Sequence, residues 1–181
     1  MNASEHVLPR TAGLPAPARR LDPNQLGDHL DRLYRAAWAL CGSREDAEDL
    51  VQETYARVLA RTRFLRSEDD LGYLLRTLRN TFLNKRRAES RRLRTAPLPE
   101  ELDVIADPRS PDPAAAVEAG EVYTAIAALP AEYRDVLVAV DVAGLSYKEA
   151  ARALRVPEGT VMSRLYRARQ QVVRRIEGSA A

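Results

Sequence analysis

The chain has 181 residues, 45% of them hydrophobic and 30% charged, with a formal net charge of +2 at pH 7. That length and balance predict a soluble globular protein of one or two small domains. Apolar runs are short, Val136–Val140 stopping at Asp141, against the roughly 20 residues a membrane-spanning helix needs. The first residues carry Glu5, His6, Pro9, Arg10 and Pro15 and no apolar stretch suited to secretion. Cys41 is the single cysteine, so an internal disulfide is excluded and nothing points to an oxidising compartment. The expectation is a cytoplasmic protein without membrane insertion.

In chain order, residues 1–22 hold Pro9, Gly13, Pro15 and Pro17 and read as a disordered leader. Residues 23–94 then read as helical. Leu26, Leu30, Leu33, Tyr34, Ala37 and Leu40 recur at helical spacing, and Gly42 stops the run. Ser43 and Asp46 resemble a capping box that opens a second helix with Ala47, Leu50, Val51, Thr54, Tyr55 and Val58 inward. After a polar break at Arg61–Glu68, Ser67 or Asp69 is placed to cap a third helix, burying Leu71, Leu74, Leu75, Leu78 and Phe82.

Residues 95–114 carry Pro97, Pro99, Pro108, Pro111 and Pro113 among acidic side chains, the composition of a linker rather than a packed element. The second helical unit spans residues 115–177. Val122, Ile126 and Leu129 mark one helix, and Pro130 opens another with Tyr133, Val136, Leu137 and Val140 inward, ended by Gly144. No strand-like alternation is visible in either half. The predicted fold class is all-α: two small helical domains joined by a flexible, acidic, proline-rich linker.

Charge is segregated along the chain. Lys85, Arg86, Arg87, Arg91, Arg92 and Arg94 form one basic stretch, and Arg164, Arg167, Arg169, Arg174 and Arg175 another. Such patches attract polyanions even when the total is near neutral; solvated helix faces are the plainer alternative. The second stretch lies on a recognisable device. Ser146 and Glu149 form an S-x-x-E capping box for a short helix, Arg155-Val156-Pro157 breaks it, and a long helix follows to about Ile176. Its inner face is Val161, Leu165, Ala168 and Val172, and its outer face Thr160, Ser163, Arg164, Arg167 and Gln171. A short helix, tight turn and basic second helix match a helix-turn-helix, whose second helix enters the DNA major groove. An ordinary helical hairpin is the alternative.

The run Leu145–Ala151 and Val156–Arg169 resembles the C-terminal domain of extracytoplasmic-function (ECF) sigma factors, as does the preceding Ala128–Arg134. The resemblance implies that the last helix reads the −35 promoter element with Thr160, Ser163, Arg164, Arg167 and Arg169. Arg155 departs from the family's frequent glycine at a turn position that favours positive φ, and Met162 stands where many relatives carry lysine or arginine. The wording Gly159–Leu165 is similar to a subgroup associated with thiol-oxidative stress.

The first half resembles the same family. Ser43–Tyr55 is similar to the segment that grips core RNA polymerase, and Asp49, Gln52 and Glu53, at i, i+3 and i+4, share one helix face. Leu74–Asn84 resembles the −10-reading helix. Arg76, Asn80, Asn84 and Arg87, flanked by Arg79 and Arg86, mix amides that read base edges with cations that neutralise phosphate. The Arg61–Asp70 segment matches the preceding loop, which in the family captures a flipped base. The partners implied are core RNA polymerase, promoter DNA and a dedicated anti-sigma factor.

A helix-turn-helix regulator that binds an operator without polymerase is the rival reading; it does not require the first half. An enzyme is disfavoured, because no phosphate-cradling glycine loop or metal-ligand spacing occurs and the two histidines, His6 and His29, have no nucleophile partner. No catalytic residue, metal or cofactor is expected. Cys41, beside Leu40 at the end of an apolar face, reads as a small buried hydrophobe rather than a redox sensor.

Overall fold

Helix α1 (Leu30–Cys41) ends at Gly42, whose φ of 81° and amide bond to the Trp38 carbonyl close the helix in a left-handed turn. The positive φ favours glycine, and a Cβ at Gly42 would also stand a tight 3.1 Å from the Cβ of Ala127. Helix α2 (Arg44–Leu59) starts on Ser43, whose Oγ accepts the Asp46 amide at 3.3 Å. Helix α3 (Asp70–Leu93) starts on Asp69, whose carboxylate accepts the Gly72 amide at 2.7 Å. The structure, a computed structural model, describes residues 19–62, 64–65, 69–93 and 113–179. Residues 1–18 of the expected leader, Arg94 at the end of the first expected unit and 95–112 of the expected linker lie outside these.

The three helices pack through Leu33, Ala36, Leu50, Leu74 and Leu78, all at 0% exposure. Each leucine so buried contributes roughly 1.5–3 kcal/mol. A 3-10 helix (Pro23–His29) leads into α1, and the Tyr55 hydroxyl donates to its Leu26 carbonyl at 2.7 Å, tying α2 to this entry segment. Leu30, expected on the buried face, is 47% exposed. The 3-10 segment turns three residues rather than 3.6 per turn, so the phase set by buried Leu26 is not the phase of α1.

The second unit comprises α4 (Pro113–Ala127), α5 (Ala131–Leu137), a π-helical turn (Val138–Val142), α6 (Tyr147–Leu154) and α7 (Glu158–Ser179). Gly144 follows at φ 72°. Val122, expected inward, is 37% exposed. The π turn continues α5 without a break, so the periodicity of residues 133–140 read as one helix while the backbone changed its bonding.

Two findings differ from the sequence reading. Arg19–Arg20 (β1) pairs antiparallel with Phe64–Leu65 (β2), a ribbon too short for alternation to reveal. The end of the segment read as disordered is thus part of the fold, with Leu21 buried. The two helical units also share a core: their buried side chains form one continuous cluster, with α1 packed on α4 and the π turn, and α3 on α6. Among the described residues no helix is long and apolar enough to cross a membrane.

Candidate nucleic-acid interface

On α2, Asp49 and Gln52 stand exposed on one face. Glu53 is half-buried and engaged within the chain, at 2.6 Å from Arg57 and 4.0 Å from Lys85. The acidic face read from spacing therefore presents two of its three members outward.

Helix α3 divides its polar residues between two directions. Asn80, Asn84, Arg86 and Arg87 are exposed. Asn80 lines a cleft of about 410 Å³ between α2 and α3, together with Arg57, Arg61, Tyr73, Thr77 and Thr81. Arg76 and Arg79 turn the other way, into the seam with the second unit. Arg76 donates to the Arg152 and Ala153 carbonyls at 2.8 and 3.2 Å. Arg79 meets the Asp135 carboxylate at 2.5 Å, and the Asp135 side chain is only 5% exposed.

A third arginine closes the seam from α1. Arg32 donates to the carbonyls of Ala143 and Gly144 at 2.7 and 2.9 Å. These carbonyls directly follow the π turn, and those met by Arg76 lie in the last turn of α6, so two of the three guanidiniums sit at helix C-termini, where cations are favoured. Trp38 stacks on Tyr123 at 4.4 Å, and Arg134 lies 5.0 Å over the Phe82 ring. Burial pulls the Arg134 guanidinium below its ordinary pKa.

The helix-turn-helix takes the expected form. Ser146 and Glu149 make the reciprocal capping box. Hydrogen bonds from Ser146 hold the Glu149 carboxyl below its usual range. Arg155 ends α6 at φ 58°, the one positive φ outside glycine among the described residues. On α7, Val161, Leu165 and Ala168 are buried against α5 and α6. Ser163 and Arg167 are exposed and Thr160 half-exposed, the Thr160 carbonyl accepting the Ser163 hydroxyl at 3.1 Å.

The other arginines of this helix are held within the chain. Arg164 pairs with Glu132 at 3.0 Å, and Arg169 binds Asp141 through two bonds of 2.9 and 2.7 Å. Arg167 has no side-chain partner among the described residues. The exposed face also carries Met162, Tyr166 and Gln170, whereas Gln171, expected outward, is half-buried. Glu132, Asp141 and Asp135 are thus the acidic partners of Arg164, Arg169 and Arg79 that spacing along the chain did not reveal. They lie 28 to 56 residues from their arginines, beyond any local spacing signal.

Comparison with known proteins places both halves in one family. The model of sigma-70 region 2 matches residues 26–92, and that of sigma-70 region 4 matches residues 119–172. The chain is 38% identical over 148 residues to the ECF RNA polymerase sigma factor SigE of Mycolicibacterium smegmatis, covering 80% of this chain and 57% of that relative's length. It is 35% identical over 148 residues to SigM of Mycobacterium tuberculosis (81% and 72% covered), and 30% identical over 162 residues to SigL of the same species (88% and 90% covered). Among solved structures, the sigma factor RpoE from Bartonella quintana, in complex with the anti-sigma factor NepR, shares the fold. Its TM-score is 0.70 at 24% identity, over 85% of this chain and 95% of that one. An operator-binding regulator would account for the second match alone; with both regions present in order, the chain belongs to the ECF sigma factors of the sigma-70 family.

Proposed function

We propose that the unit at residues 23–94 binds core RNA polymerase and the −10 element, and that the unit at 115–177 binds the −35 element. The exposed Asp49 and Gln52 meet a basic, polar surface of the polymerase. Asn80 and Asn84 read bases of the melting strand beside the α2–α3 cleft, with Arg86 and Arg87 on its phosphates. Ser163 and Arg167 face the −35 bases, with Thr160 beside them. The polymerase performs the chemistry, and this chain supplies recognition and strand opening. The observation that carries the reading is the presence of both sigma regions in register, each with an exposed polar face where its role requires one.

Arg76 and Arg79 reach DNA only when the seam opens. Arg164 and Arg169 similarly exchange Glu132 and Asp141 for DNA contacts. An anti-sigma partner is the regulator we assign; the fold neighbours from solved structures include complexes with such partners. The wording Gly159–Leu165 supports a signal linked to thiol stress; a deletion strain whose transcript response to a thiol oxidant equals the parent's would remove that assignment.

The test of the polymerase face is competition for core enzyme between the parent chain and an Asp49→Ala, Gln52→Ala variant. The variant is expected to lose affinity with unchanged helical content. Equal competition would overturn the assigned face.

A further inference from the structure

The end of the leader is built into the fold beside the α2–α3 cleft. Strand β2 lies in the connection that leaves one wall of the cleft at Arg61 and returns to the other at Tyr73. Strand β1 pairs with it, Arg19 opposite Leu65 and Arg20 opposite Phe64. A ribbon of two residues per strand is not stable alone in water. Here it is anchored on both sides. The Arg19 guanidinium bonds the Asp70 carboxylate, which is 8% exposed at the start of α3. Beyond β1, Leu21 is buried in the core and the Asp22 carboxylate accepts the Asn24 amide at 2.9 Å.

Residues opposite each other in an antiparallel pair share a face of the ribbon. Arg19 and Leu65 occupy the half-buried face, while Arg20 and Phe64 stand together on the exposed one, Phe64 at 66%. Packing explains Arg19 and Leu65. It explains neither an aromatic ring left in water nor the adjacent guanidinium, whose side chain has no partner among the described residues. A ring beside a cation is what an unpaired nucleotide takes, its base stacking and its phosphate meeting the charge.

We propose that the leader strand belongs to the strand-opening site: Arg20 binds a backbone phosphate of the unpaired promoter strand beside Phe64. Arg19 acts through Asp70 as the positioning residue that sets β2. This extends the −10 reading above and rests on it.

The experiment uses full-length chains in holoenzyme, following permanganate reactivity of unpaired thymines at a promoter across a salt series. The variants are Arg20→Ala, Arg19→Ala, Arg19→Lys and Asn80→Ala. Arg20→Ala, on an exposed position, is expected to reduce opening about threefold and to flatten the logarithmic salt slope by about 0.7, the signature of one lost single-strand phosphate contact. Arg19→Ala is expected to reduce opening without that slope change, and Arg19→Lys to restore it. Parent-like opening and slope for Arg20→Ala, with a defect in Asn80→Ala, would overturn the leader assignment and leave the −10 reading standing. Parent-like behaviour of both variants would overturn both.

Discussion

Arg79 of α3 holds Asp135 of α5 across the seam between the two helical units, Nε to Oδ2 at 2.5 Å. The Asp135 Oδ1 atom is buried with no hydrogen-bond partner among the described residues. A buried carboxylate satisfied on one oxygen only makes the seam costly to keep closed once its arginine is lost, since breaking a buried pair costs roughly 3–5 kcal/mol. Asp135→Asn removes the charge and frees Arg79; Arg79→Ala strands the carboxylate and favours opening to water. Both variants are expected to expand the chain in small-angle scattering. They separate in DNA binding: Asp135→Asn gains affinity for single-stranded −10 DNA, whereas Arg79→Ala loses a contact. An unchanged radius of gyration for both would show that this pair does not hold the units together.

On α7, a bidentate arginine–guanine contact discriminates by roughly 1–3 kcal/mol, whereas a phosphate contact carries no sequence information. Arg167, exposed and without a side-chain partner among the described residues, is expected to relax base preference at one −35 position when replaced by alanine. Arg174→Ala is expected to weaken all promoters alike and reduce the salt slope by about 1. Promoter-library selection at two salt concentrations distinguishes these. Retention of the parent's −35 preference by Arg167→Ala would remove this residue from base reading.

Two groups frame the pH response. Burial first, then the nearby Asp46 charge, pushes the Cys41 thiol up to about 12. A raised thiol pKa contributes stability that is complete below the unfolded value near 9 and is lost as pH rises toward 12. Glu149 runs the other way: its lowered pKa contributes stability above the unfolded value near 4.5 that is lost as pH falls through the folded one. Cys41→Ala should therefore flatten the alkaline limb of a thermal-melting pH profile, and Glu149→Gln the acid limb. Cys41 should also resist alkylation at neutral pH, because the thiolate is the nucleophile. Cys41, expected to be buried, is half-buried at the end of α1, so slow labelling rests on its raised pKa, and rapid labelling of the folded chain would contradict that shift.

Arg155 sits at φ 58° in the turn of the helix-turn-helix. A left-handed non-glycine residue costs roughly 1 kcal/mol. Arg155→Gly is expected to recover most of this, less the added freedom of the unfolded chain, and to raise the melting temperature by a few degrees. A lowered melting temperature would mean that the arginine side chain contributes more than its backbone costs.

Much of the fold was legible because its signals are local. Gly42, Gly144, Ser43, Asp69 and the Ser146–Glu149 box each announce a helix end within a few residues, and Arg155 announced a strained turn by replacing a glycine. The inward faces of α2, α3 and α7 followed from 3.6-residue periodicity. What spacing could not reveal was which exposed cations find acids elsewhere in the chain. Arg76, Arg79, Arg164 and Arg169 read as open DNA contacts, yet each is engaged by a group that folding brings from afar. The β1–β2 ribbon was hidden for the same reason: two residues carry no period, and the paired strands lie on either side of α1 and α2 in the chain.

The most direct measurement of sigma-factor action is transcription by purified core polymerase on a library of genomic fragments, with and without this chain. The expected result is a discrete set of new start sites that share −35 and −10 elements at fixed spacing and disappear with the Asp49→Ala, Gln52→Ala variant. No new start sites, together with tight binding of the chain alone to duplex operators, would contradict it.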